Sequence, residues 1–479
     1  MNPTSSDSDR PRLRFLVAIA SYGRKNDLFL RRIIQKYQSM AMDVDVVVLS
    51  EAPKDLGPSV KVIVGLPSPN PWSLPFGHKK LFAENVDRYD LFAYSEDDME
   101  VTEQNVRAFL QATSVLEADE IAGFLRYEVD PAGTLHMPEA HAAAHWKPES
   151  VRLRKGWTIA EFSNEHAAFY LLTQSQLRQA IESGGFLREP YEGRYDMLCA
   201  AATDPYTNCG FRKVICISVL DDFLIHHLPN RYVGQLGLPL SELKEQIKTL
   251  MDISAGKHPA STLCAAESKL MNVQWSKDYD EKPSDELLAA LPRGGRTVLS
   301  VGCGSGATEA KLIQRGMTVT ALPLDSVIGV VAAHLGVEMI YGAWEEGMSQ
   351  LTGRKFDCVL ISNLLHLQPD PAHFLERCAQ FVSENGMLLV SGPNFNRIPN
   401  LIKRNFGANG YRKLKSFAES GITLCGPRTF LHQLKKLGLN SASVRWLDYE
   451  FSKGRLSSVR IPLGGIMARN WILQARRGN

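Results

Sequence analysis

Three consecutive acidic residues follow a short apolar run and are the first candidates for chemistry. The run Asp90–Tyr94 is predicted to be a strand, and Glu96, Asp97 and Asp98 come at its carboxyl end. If extended geometry persists, Glu96 and Asp98 project to one face of the chain and Asp97 points away. Two carboxylates on one face suit a hard divalent cation, which can bridge a diphosphate and stabilise it as it leaves a sugar. An acidic turn that faces water is the alternative for this motif taken alone.

A glycine-rich turn in the second half of the chain is the other candidate. The predicted strand Thr297–Val301 is followed by the turn 302–306, and a helix is predicted from Ala307 to Arg315. Glycines let the chain turn sharply and let a ligand approach the backbone. The helix N-terminus can also meet a carboxylate. The turn satisfies the dinucleotide pattern G-x-G-x-x-G/A as well, but that pattern wants an acidic residue about 20 positions on, where the chain has Ala321–Pro323.

Both motifs lie within alternating strands and helices, which favour mostly parallel sheets and an α/β fold class. In the first half, strands are predicted at Arg14–Ala20, Asp45–Leu49, Val60–Val64, Asp90–Tyr94, Ala167–Thr173 and Val214–Leu220, with helices at His78–Val86 and Gln174–Ser183. In the second half, strands are predicted at Thr297–Val301, Thr318–Leu322, Val337–Tyr341, Phe356–Ile361, Gly386–Ser391, Ser441–Trp446 and Trp471–Ala475. The stretch 236–290 is helical and polar in composition, so the domain junction is placed there.

Composition narrows the classes of function. The 479 residues exceed one ordinary core and predict two or three domains. A formal charge of +2 and the lack of a basic stripe among aromatics argue against a nucleic-acid partner. Eight scattered cysteines without a C-x-x-C pair predict free thiols in a reducing cytoplasm. No segment could span a bilayer, so we expect a cytoplasmic protein, and peripheral membrane association through partners stays compatible with the sequence.

Several motifs in the C-terminal half occur together and in order. They are the lead-in Trp275–Tyr279, the glycine turn, the run Phe356–Pro371 and the run Gly386–Asn394. Together they resemble class I S-adenosylmethionine (SAM) dependent methyltransferases. The resemblance implies a Rossmann-like sheet with an antiparallel last strand and SAM over the carboxyl ends of the strands.

The resemblance also implies individual site residues. The SAM-binding residues of the turn would be Gly302, Cys303, Gly304 and Gly306. The family's usual ribose acid aligns with Pro323 and its adenine acid falls near Ala343, so either Asp325 and Glu345 take over or SAM binding is weak or lost. His366 is a candidate general base, since imidazole titrates near neutrality, and a packing or positioning role is the alternative.

The N-terminal half resembles glycosyltransferases of the GT-A fold over residues 14–234. The resemblance rests on the run 78–98, on Val17–Tyr22 as the first strand, and on Asp221–Tyr232 as a late segment that carries a histidine. It implies a mixed sheet with helices in which residues 96–98 form an Asp-x-Asp-like metal motif. The glutamate at the first position departs from the strict form of that motif.

This resemblance supplies the remaining site predictions. Contacts to the nucleotide sugar are expected from Ala20, Ser21, Tyr22, Lys80, Glu96 and Asp97, although Lys80 could belong to a solvated helix face. The metal ligands are expected to be Asp98, Glu96 and His227, with His226 in reserve; either histidine could instead be a core or surface residue. Imidazole is unusual for Mg²⁺ but acceptable for Mn²⁺. A carboxylate base is expected at Asp196 or Glu192, with Glu189 in the same class, and Asp196 could merely cap a helix.

The sequence therefore predicts a bifunctional transferase of glycan or polysaccharide biosynthesis. It would have a disordered tail (1–13), a glycosyltransferase domain (14–235), a helical linker (236–271) and a methyltransferase domain (272–479). The expected cofactors are Mn²⁺ or Mg²⁺ and SAM, and the expected partners are a nucleotide-sugar donor and a glycan acceptor. Two alternatives stay open: a glycosyltransferase with a degenerate, scaffolding methyltransferase domain, or a methyltransferase with a non-catalytic glycan-binding N-terminal domain.

Overall fold

A computed structural model describes residues 12–291, 296–405, 414–449 and 464–477. The chain divides into two compact units, the first made of residues 1–140 and 150–244 and the second of residues 141–149 and 245–479. Most of the tail predicted at 1–13 lies outside the described residues. The short segment 141–149, predicted within the first domain, groups with the second unit. None of the helices in the described ranges combines the length and the apolar character needed to cross a bilayer.

Six helices and fourteen strands are assigned between residues 12 and 254. In chain order they are β1 (Arg14–Ala20), α1 (Asp27–Gln38), β2 (Asp43–Ser50), β3 (Val60–Val64), α2 (Gly77–Glu84), β4 (Leu91–Glu96), β5 (Met99–Glu100), α3 (Glu103–Thr113), β6 (Glu120–Ala122), β7 (Leu125–Val129), β8 (Leu135–Met137), β9 (Trp146–Arg154), β10 (Trp157–Phe162), β11 (Phe169–Thr173), α4 (Gln174–Glu182), α5 (Met197–Thr207), β12 (Arg212–Cys216), β13 (Leu224–His227), β14 (Leu238–Pro239) and α6 (Leu240–Ser254).

The main sheet of the first unit has the strand order β11-β4-β1-β2-β3. Strands β1 to β4 run parallel, and β11 is antiparallel to β4. The central strand β1 is apolar and buried at six successive positions, as expected for a parallel strand covered on both faces. Because β4 is the neighbour of β1, its carboxyl end lies beside the loop that follows β1. This places residues 96–98 next to residues 21–26.

Two further sheets complete the strand pairing of this region. Their orders are β6-β12-β10-β9 and β14-β8-β7-β13-β5. Strand β13 pairs in parallel with β7 and antiparallel with β5, so the histidine pair that ends β13 lies beside β5. The predicted strand Val214–Leu220 is shorter in the structure, because a 3₁₀ turn begins at Ile217. The strands β6 to β10 were not predicted.

The second unit contains a seven-stranded sheet. Its elements are α7 (Asp285–Ala290), β15 (Thr297–Cys303), α8 (Ala307–Gln314), β16 (Thr318–Pro323), α9 (Ser326–His334), β17 (Glu338–Met339), α10 (Trp344–Gln350), β18 (Phe356–Ser362), α11 (Pro371–Ala379), β19 (Val382–Pro393), α12 (Ile398–Asn405), α13 (Phe417–Ser420), α14 (Pro427–Lys436), β20 (Ser441–Tyr449), α15 (Gly464–Met467) and β21 (Ala468–Arg476).

The strand order of this sheet is β17-β16-β15-β18-β19-β21-β20. The first five strands are parallel, and β21 is antiparallel to both of its neighbours. The predicted Rossmann-like sheet with an antiparallel last strand is thus confirmed for this unit. The order reverses between β15 and β18, and ligands of open α/β sheets bind outside the carboxyl ends of the strands at such a point.

Candidate functional site

The acidic residues at the end of β4 are arranged differently from the sequence prediction. The strand ends at Glu96, and Asp97 and Asp98 form a turn, so the side chains no longer alternate between faces. The amide of Asn26 donates to Asp97 Oδ1 at 2.7 Å and to Asp98 Oδ2 at 3.2 Å. Asp97 and Asp98 therefore lie together, and the expectation that Asp97 points away is wrong because the extended geometry does not continue.

Asp97 joins this site to the end of β1. The buried hydroxyl of Ser21 donates to Asp97 Oδ2 at 2.6 Å. Burial raises the pKa of Asp97 to about 6, against the effect of the hydrogen bonds from Asn26 and Ser21. Of the other predicted nucleotide contacts, Ala20 is buried and Tyr22 is 55% exposed.

His227, the predicted metal ligand, lies beside Asp98. Its Nε2 is 3.4 Å from Asp98 Oδ2, and its Nδ1 is 2.5 Å from Glu128 Oε1. The second oxygen, Asp98 Oδ1, is buried and has no hydrogen-bond partner among the described residues. A buried carboxylate oxygen without a partner is energetically costly.

Glu96 does not join this pair as a third ligand. Its Oε1 is 4.0 Å from His166 Nε2, and about a third of its side chain (32%) is exposed. Desolvation and the neighbouring Asp98 carboxylate raise the pKa of Glu96 to about 8. Across the described residues, no group of three or more His, Cys, Asp or Glu side chains is placed to hold a metal ion. The structure therefore does not bring Asp98, Glu96 and His227 together as the predicted triad, although Asp98 and His227 lie side by side.

The two lysines of α2 have different environments. Lys79 is buried and forms an ion pair with the fully buried Asp204. Lys80, the predicted diphosphate contact, has 84% of its side chain exposed and lies 3.8 Å from Glu84 on the same helix. The structure thus places Lys80 on a solvated helix face.

The candidate bases Asp196 and Glu192 also lie in different environments. Asp196 caps α5, where its Oδ1 accepts the Cys199 N–H at 3.0 Å. The carboxylate of Asp196 contributes to the raised pKa of Glu96, which places it near the acidic turn. Glu192 is exposed in the loop before α5.

Three residues of this site were missed from the sequence: Asn26, Glu128 and His166. They come from three separate parts of the chain, and no local motif connects any of them to residues 96–98. His166 is largely buried, its Nε2 has no hydrogen-bond partner among the described residues, and burial lowers its pKa well below the ordinary value. Only the tertiary fold brings them together.

In the second unit, the glycine turn follows β15 at the point where the strand order reverses. Gly302 and Gly306 have φ of +77° and +83°, a conformation that side chains rarely adopt. A Cβ on Gly304 would collide with the carbonyl oxygen of Tyr279. Cys303 is buried, and burial raises the pKa of its thiol.

A polar cleft of about 340 Å³, including open solvent, adjoins this turn. Lys277 and Glu281 form an ion pair in its wall, and Ser300 donates to Glu309 Oε1 at 2.6 Å. The remaining wall is made of residues 302–308 with Leu287, Leu360 and Ser362. Charges of both signs beside a helix N-terminus suit a zwitterion such as the amino-acid end of SAM.

The two proposed replacement acids do not line this cleft. Asp325 is buried and caps α9, with Oδ1 accepting the N–H groups of Val327 and Ile328 at 2.8 Å each. Burial raises its pKa to about 6. Glu345 is largely exposed and pairs with Arg377 at 3.0 Å. Each carboxylate is engaged within its own part of the fold, and the role of both residues as SAM contacts stays a prediction.

His366 also does not line this cleft. It is buried, and its Nε2 lies 2.7 Å from the carbonyl oxygen of Trp275, so Nε2 carries the proton and donates. Burial lowers the pKa of His366 to about 4, so the ring is neutral at physiological pH. The contact with residue 275 favours the alternative of a packing or positioning role, and the role as general base stays an untested prediction.

A segment of the second unit covers the rest of the strand ends. We call residues 261–279 the cover segment. The N–H of Leu263 donates to the carbonyl of Leu324, and the N–H of Ser326 donates to the carbonyl of Ser261, both at 2.9 Å, so Thr262 and Asp325 form an antiparallel bridge. Tyr279, at the other end, is buried, and its ring stacks on His145 at 4.3 Å.

Residues 275–444 match the family model described as "Methyltransferase domain". The chain contains a methyltransferase domain. The match begins within the cover segment, and it includes the glycine turn and the strands β15 to β19.

Curated relatives are ubiquinone biosynthesis O-methyltransferases. The protein of Aromatoleum aromaticum is 31% identical over 143 residues, which are 27% of this chain and 61% of that protein. The protein of Stutzerimonas stutzeri is 28% identical over 135 residues, 26% of this chain and 58% of that protein. The chain thus spans about three fifths of the length of these relatives.

Two solved structures are similar to this chain at lower identity. A SAM dependent methyltransferase from Archaeoglobus fulgidus is 15% identical and covers 38% of this chain and 87% of its own, with a TM-score of 0.30. Magnesium protoporphyrin IX methyltransferase from Synechocystis, solved with bound SAH, is 16% identical and covers 40% and 78%, with a TM-score of 0.29.

The methyltransferase domain fits SAM unevenly. The glycine turn and the mixed charges of Lys277 and Glu281 suit the amino-acid end of the cofactor. Beyond the turn, Leu364 lies against Gly302, and the bridge of Thr262 with Asp325 closes over the end of β16. The residues at the glycine turn therefore suit SAM, whereas the end of β16 is covered by the chain itself.

Proposed function

We propose that the C-terminal unit is a SAM-dependent O-methyltransferase. The observation that carries the proposal is the glycine turn 302–306, which opens onto a cleft with charges of both signs at the reversal of strand order. The match of residues 275–444 to the methyltransferase family supports the same activity.

The chain's own residues would bind and orient the cofactor, which supplies an electrophilic methyl group when bound. Lys277 offers a cation to a carboxylate, and Glu281 offers an acceptor to an ammonium group. Residues 305–308 at the start of α8 line the same cleft, and a helix N-terminus favours a negative charge. Lys277 is nearly fully buried, so its side chain lies in surroundings of low dielectric constant. An anion is attracted to an ammonium group more strongly there than in water.

Calorimetric titration of the full chain with SAM tests this proposal. We expect measurable binding, and Lys277→Met should weaken it by about ten- to a hundredfold, because a hydrogen bond to a charged group contributes about 1.5–3 kcal/mol. Lys282→Met, which changes a neighbouring lysine outside the cleft lining, is the matched control. A wild-type chain that binds no SAM at millimolar concentration contradicts the proposal.

A second activity is favoured by a specific observation in the N-terminal unit. We propose that this unit transfers a sugar from a nucleotide-sugar donor with the help of a divalent cation. The supporting observation is the pair of Asp98 and His227, where a buried carboxylate oxygen has no partner and an imidazole nitrogen lies 3.4 Å from the other oxygen. This pair would hold Mn²⁺ or Mg²⁺, which would stabilise the departing diphosphate. The proposal rests on the geometry of the site alone.

The test is a thermal-shift screen of nucleotide sugars with and without Mn²⁺, because a ligand that binds the folded state must raise its apparent stability. We expect at least one donor to stabilise the chain only when Mn²⁺ is present, and Asp98→Asn to abolish that effect without changing SAM binding. If no nucleotide sugar stabilises the chain in a metal-dependent way, the N-terminal unit is not a metal-dependent glycosyltransferase.

The two proposals together describe a bifunctional enzyme of glycan or polysaccharide biosynthesis. We propose that the methyl acceptor is a hydroxyl of the same or a related glycan, since the two activities are joined in one chain. This link is by association. Detection of methyl transfer from radiolabelled SAM to a glycan made by the N-terminal unit would test it directly.

A further inference from the structure

Glu128 is a buried carboxylate that neither proposed activity has used. It lies on β7 beside β13, and its side chain is 99% buried, with 1% exposed. Its Oε1 contacts His227 Nδ1 at 2.5 Å, and its Oε2 accepts the backbone N–H of Tyr232 at 2.7 Å. Both of its oxygens therefore face donors.

This arrangement decides which nitrogen of His227 carries a proton. A carboxylate can only accept hydrogen bonds, so Nδ1 must be the donor to Glu128. In the neutral ring, Nε2 then has a lone pair, and that lone pair lies 3.4 Å from the carboxylate oxygen of Asp98. Either a proton on Nε2 or a divalent cation between the two atoms would satisfy both of them in this buried place.

Asp98 presents the complementary half of the same site. Its Oδ2 has Asn26 as a weak donor at 3.2 Å, and its Oδ1 has no partner among the described residues. The side chain is 8% exposed, so water does not compensate it freely. A divalent cation would satisfy both the orphan carboxylate and the imidazole lone pair.

We infer that Glu128 is a positioning residue that holds the imidazole of His227 with Nε2 directed at Asp98, so that the two side chains can act as ligands of one divalent cation. The inference rests on the proposed sugar transfer. Glu128 itself is not a ligand. Outer residues of this kind fix the tautomer and ring orientation of a metal-binding histidine.

The amide of Glu128→Gln separates this role from simple packing. A glutamine has one acceptor oxygen, so it cannot accept from both Nδ1 of His227 and the N–H of Tyr232. The imidazole then gains by turning Nδ1 into an acceptor, which puts the proton on Nε2 toward Asp98. The lone pair for the cation is lost while the volume of the side chain is unchanged.

A neighbouring pair provides the matched control. His226 is the preceding residue, and its Nδ1 lies 4.0 Å from the carboxylate of Glu100 on β5. Glu100→Gln removes the same charge beside a histidine of the same strand, yet Glu100 is tied to Arg32 and not to Asp98. It should leave cation binding unchanged.

The experiment measures Mn²⁺ binding to the full chain by electron paramagnetic resonance, first with Mn²⁺ alone and then with UDP or GDP added. Pulsed spectra report whether a nitrogen is bound directly to the ion. We expect nitrogen coupling in the wild type and in Glu100→Gln. In Glu128→Gln we expect that coupling to be lost and the affinity for Mn²⁺ to fall about ten- to a hundredfold, with an unchanged circular dichroism spectrum.

The outcomes distinguish the two proposals. If Glu128→Gln keeps the wild-type affinity and nitrogen coupling, Glu128 is a packing residue and the inference is overturned, while the metal site stands. If the wild type and Glu100→Gln also bind no Mn²⁺ under any of the three conditions, His227 is a protonated bridge between Glu128 and Asp98, and metal-dependent sugar transfer falls with it. If Glu128→Gln unfolds, Glu128→Asp, which keeps the charge on a shorter side chain, should bind Mn²⁺ more weakly than Glu100→Asp.

Discussion

The backbone N–H of Ser305 donates a 2.8 Å hydrogen bond to the carbonyl oxygen of Tyr279. This bond attaches the end of the cover segment to the glycine turn that the proposed methyltransferase needs for its cofactor. The N–H of Tyr279 donates in turn to the carbonyl of Ala142, also at 2.8 Å. The cover segment is thus fixed through both backbone hydrogen-bonding groups of Tyr279.

Locking the cover segment should block SAM. Thr262 and Asp325 are a non-hydrogen-bonded antiparallel pair, because the bonds between the two strands come from the flanking residues. Such pairs have Cα atoms about 4.5 Å apart, within the range of disulfides. We expect Thr262→Cys combined with Asp325→Cys to bind SAM after reduction and to lose that binding when oxidised, as measured by calorimetry.

The single variant Asp325→Cys controls for the lost helix cap and should not respond to the oxidant. Equal SAM affinity in the oxidised and reduced double variant would mean that the cofactor enters without any movement at residue 262.

Asp325 should make stability depend on pH. Burial raises its pKa to about 6 from an ordinary value near 3.8. Its folded pKa is raised, so its contribution to the free energy of unfolding is complete below about pH 4 and is lost as pH rises through about 6. Asp325→Asn keeps an oxygen to cap α9 and cannot ionise. We expect the variant to match the wild type near pH 4 and to exceed it at pH 7.5 by up to about 3 kcal/mol in urea unfolding. A variant less stable than the wild type at pH 7.5 would show that the ionised carboxylate stabilises the helix.

The neighbouring lysines of α2 should differ sharply in their effect on stability. Lys79→Met leaves the fully buried carboxylate of Asp204 without its cation, which should cost about 3–5 kcal/mol in chemical unfolding. Lys80→Met removes an exposed pair and should change stability by less than about 0.5 kcal/mol. Loss of nucleotide-sugar stabilisation in Lys80→Met would restore the contact predicted from the sequence.

His366 should matter for stability and not for proton transfer. His366→Phe removes the hydrogen bond from His366 to the carbonyl of Trp275 and should lower the free energy of unfolding by about 1–3 kcal/mol. His366→Gln can still donate and should lose less. The pKa of His366 is lowered to about 4, so this residue should not titrate near pH 6.5. The dependence of the methyl-transfer rate on pH should therefore have the same shape near pH 6.5 in the wild type and in His366→Gln. A change of slope that is present in the wild type and absent in the variant would assign the histidine to catalysis.

Much of the fold was predictable because local sequence patterns indicate its strands and helices. The run Arg14–Ala20 and the strand before Gly302 are rich in β-branched and aliphatic residues and are followed by turn residues. Both are strands in the structure. The cap at Asp325 also had a local signal, since an Asp directly before an apolar helix favours the N-cap position. The prediction of Asp325 as a ribose contact did not use this N-cap pattern.

The rest of the site depends on long-range contacts. Asn26 reaches residues 97 and 98 because β4 lies beside β1, and His166 lies near Glu96 because β11 pairs with β4. Glu128 contacts His227 because β7 pairs with β13. The orientation of Asp97 was missed for a different reason. A strand pattern does not show where extended geometry stops, and one turn at residues 97 and 98 reverses the expected faces.

The segment 141–149 has a consequence for how the chain matures on the ribosome. These residues belong to the second unit, yet they are synthesised before the whole stretch from Ser150 to Lys244. His145 must therefore wait for Tyr279 to emerge before their rings can stack, so the second unit cannot finish folding as a simple continuation of the first. A fragment that starts at residue 245 would lack His145, so the face of the Tyr279 ring that stacks on it would be uncovered. Expression of the methyltransferase domain by itself should accordingly improve when a peptide with the sequence of residues 141–149 is supplied alongside it.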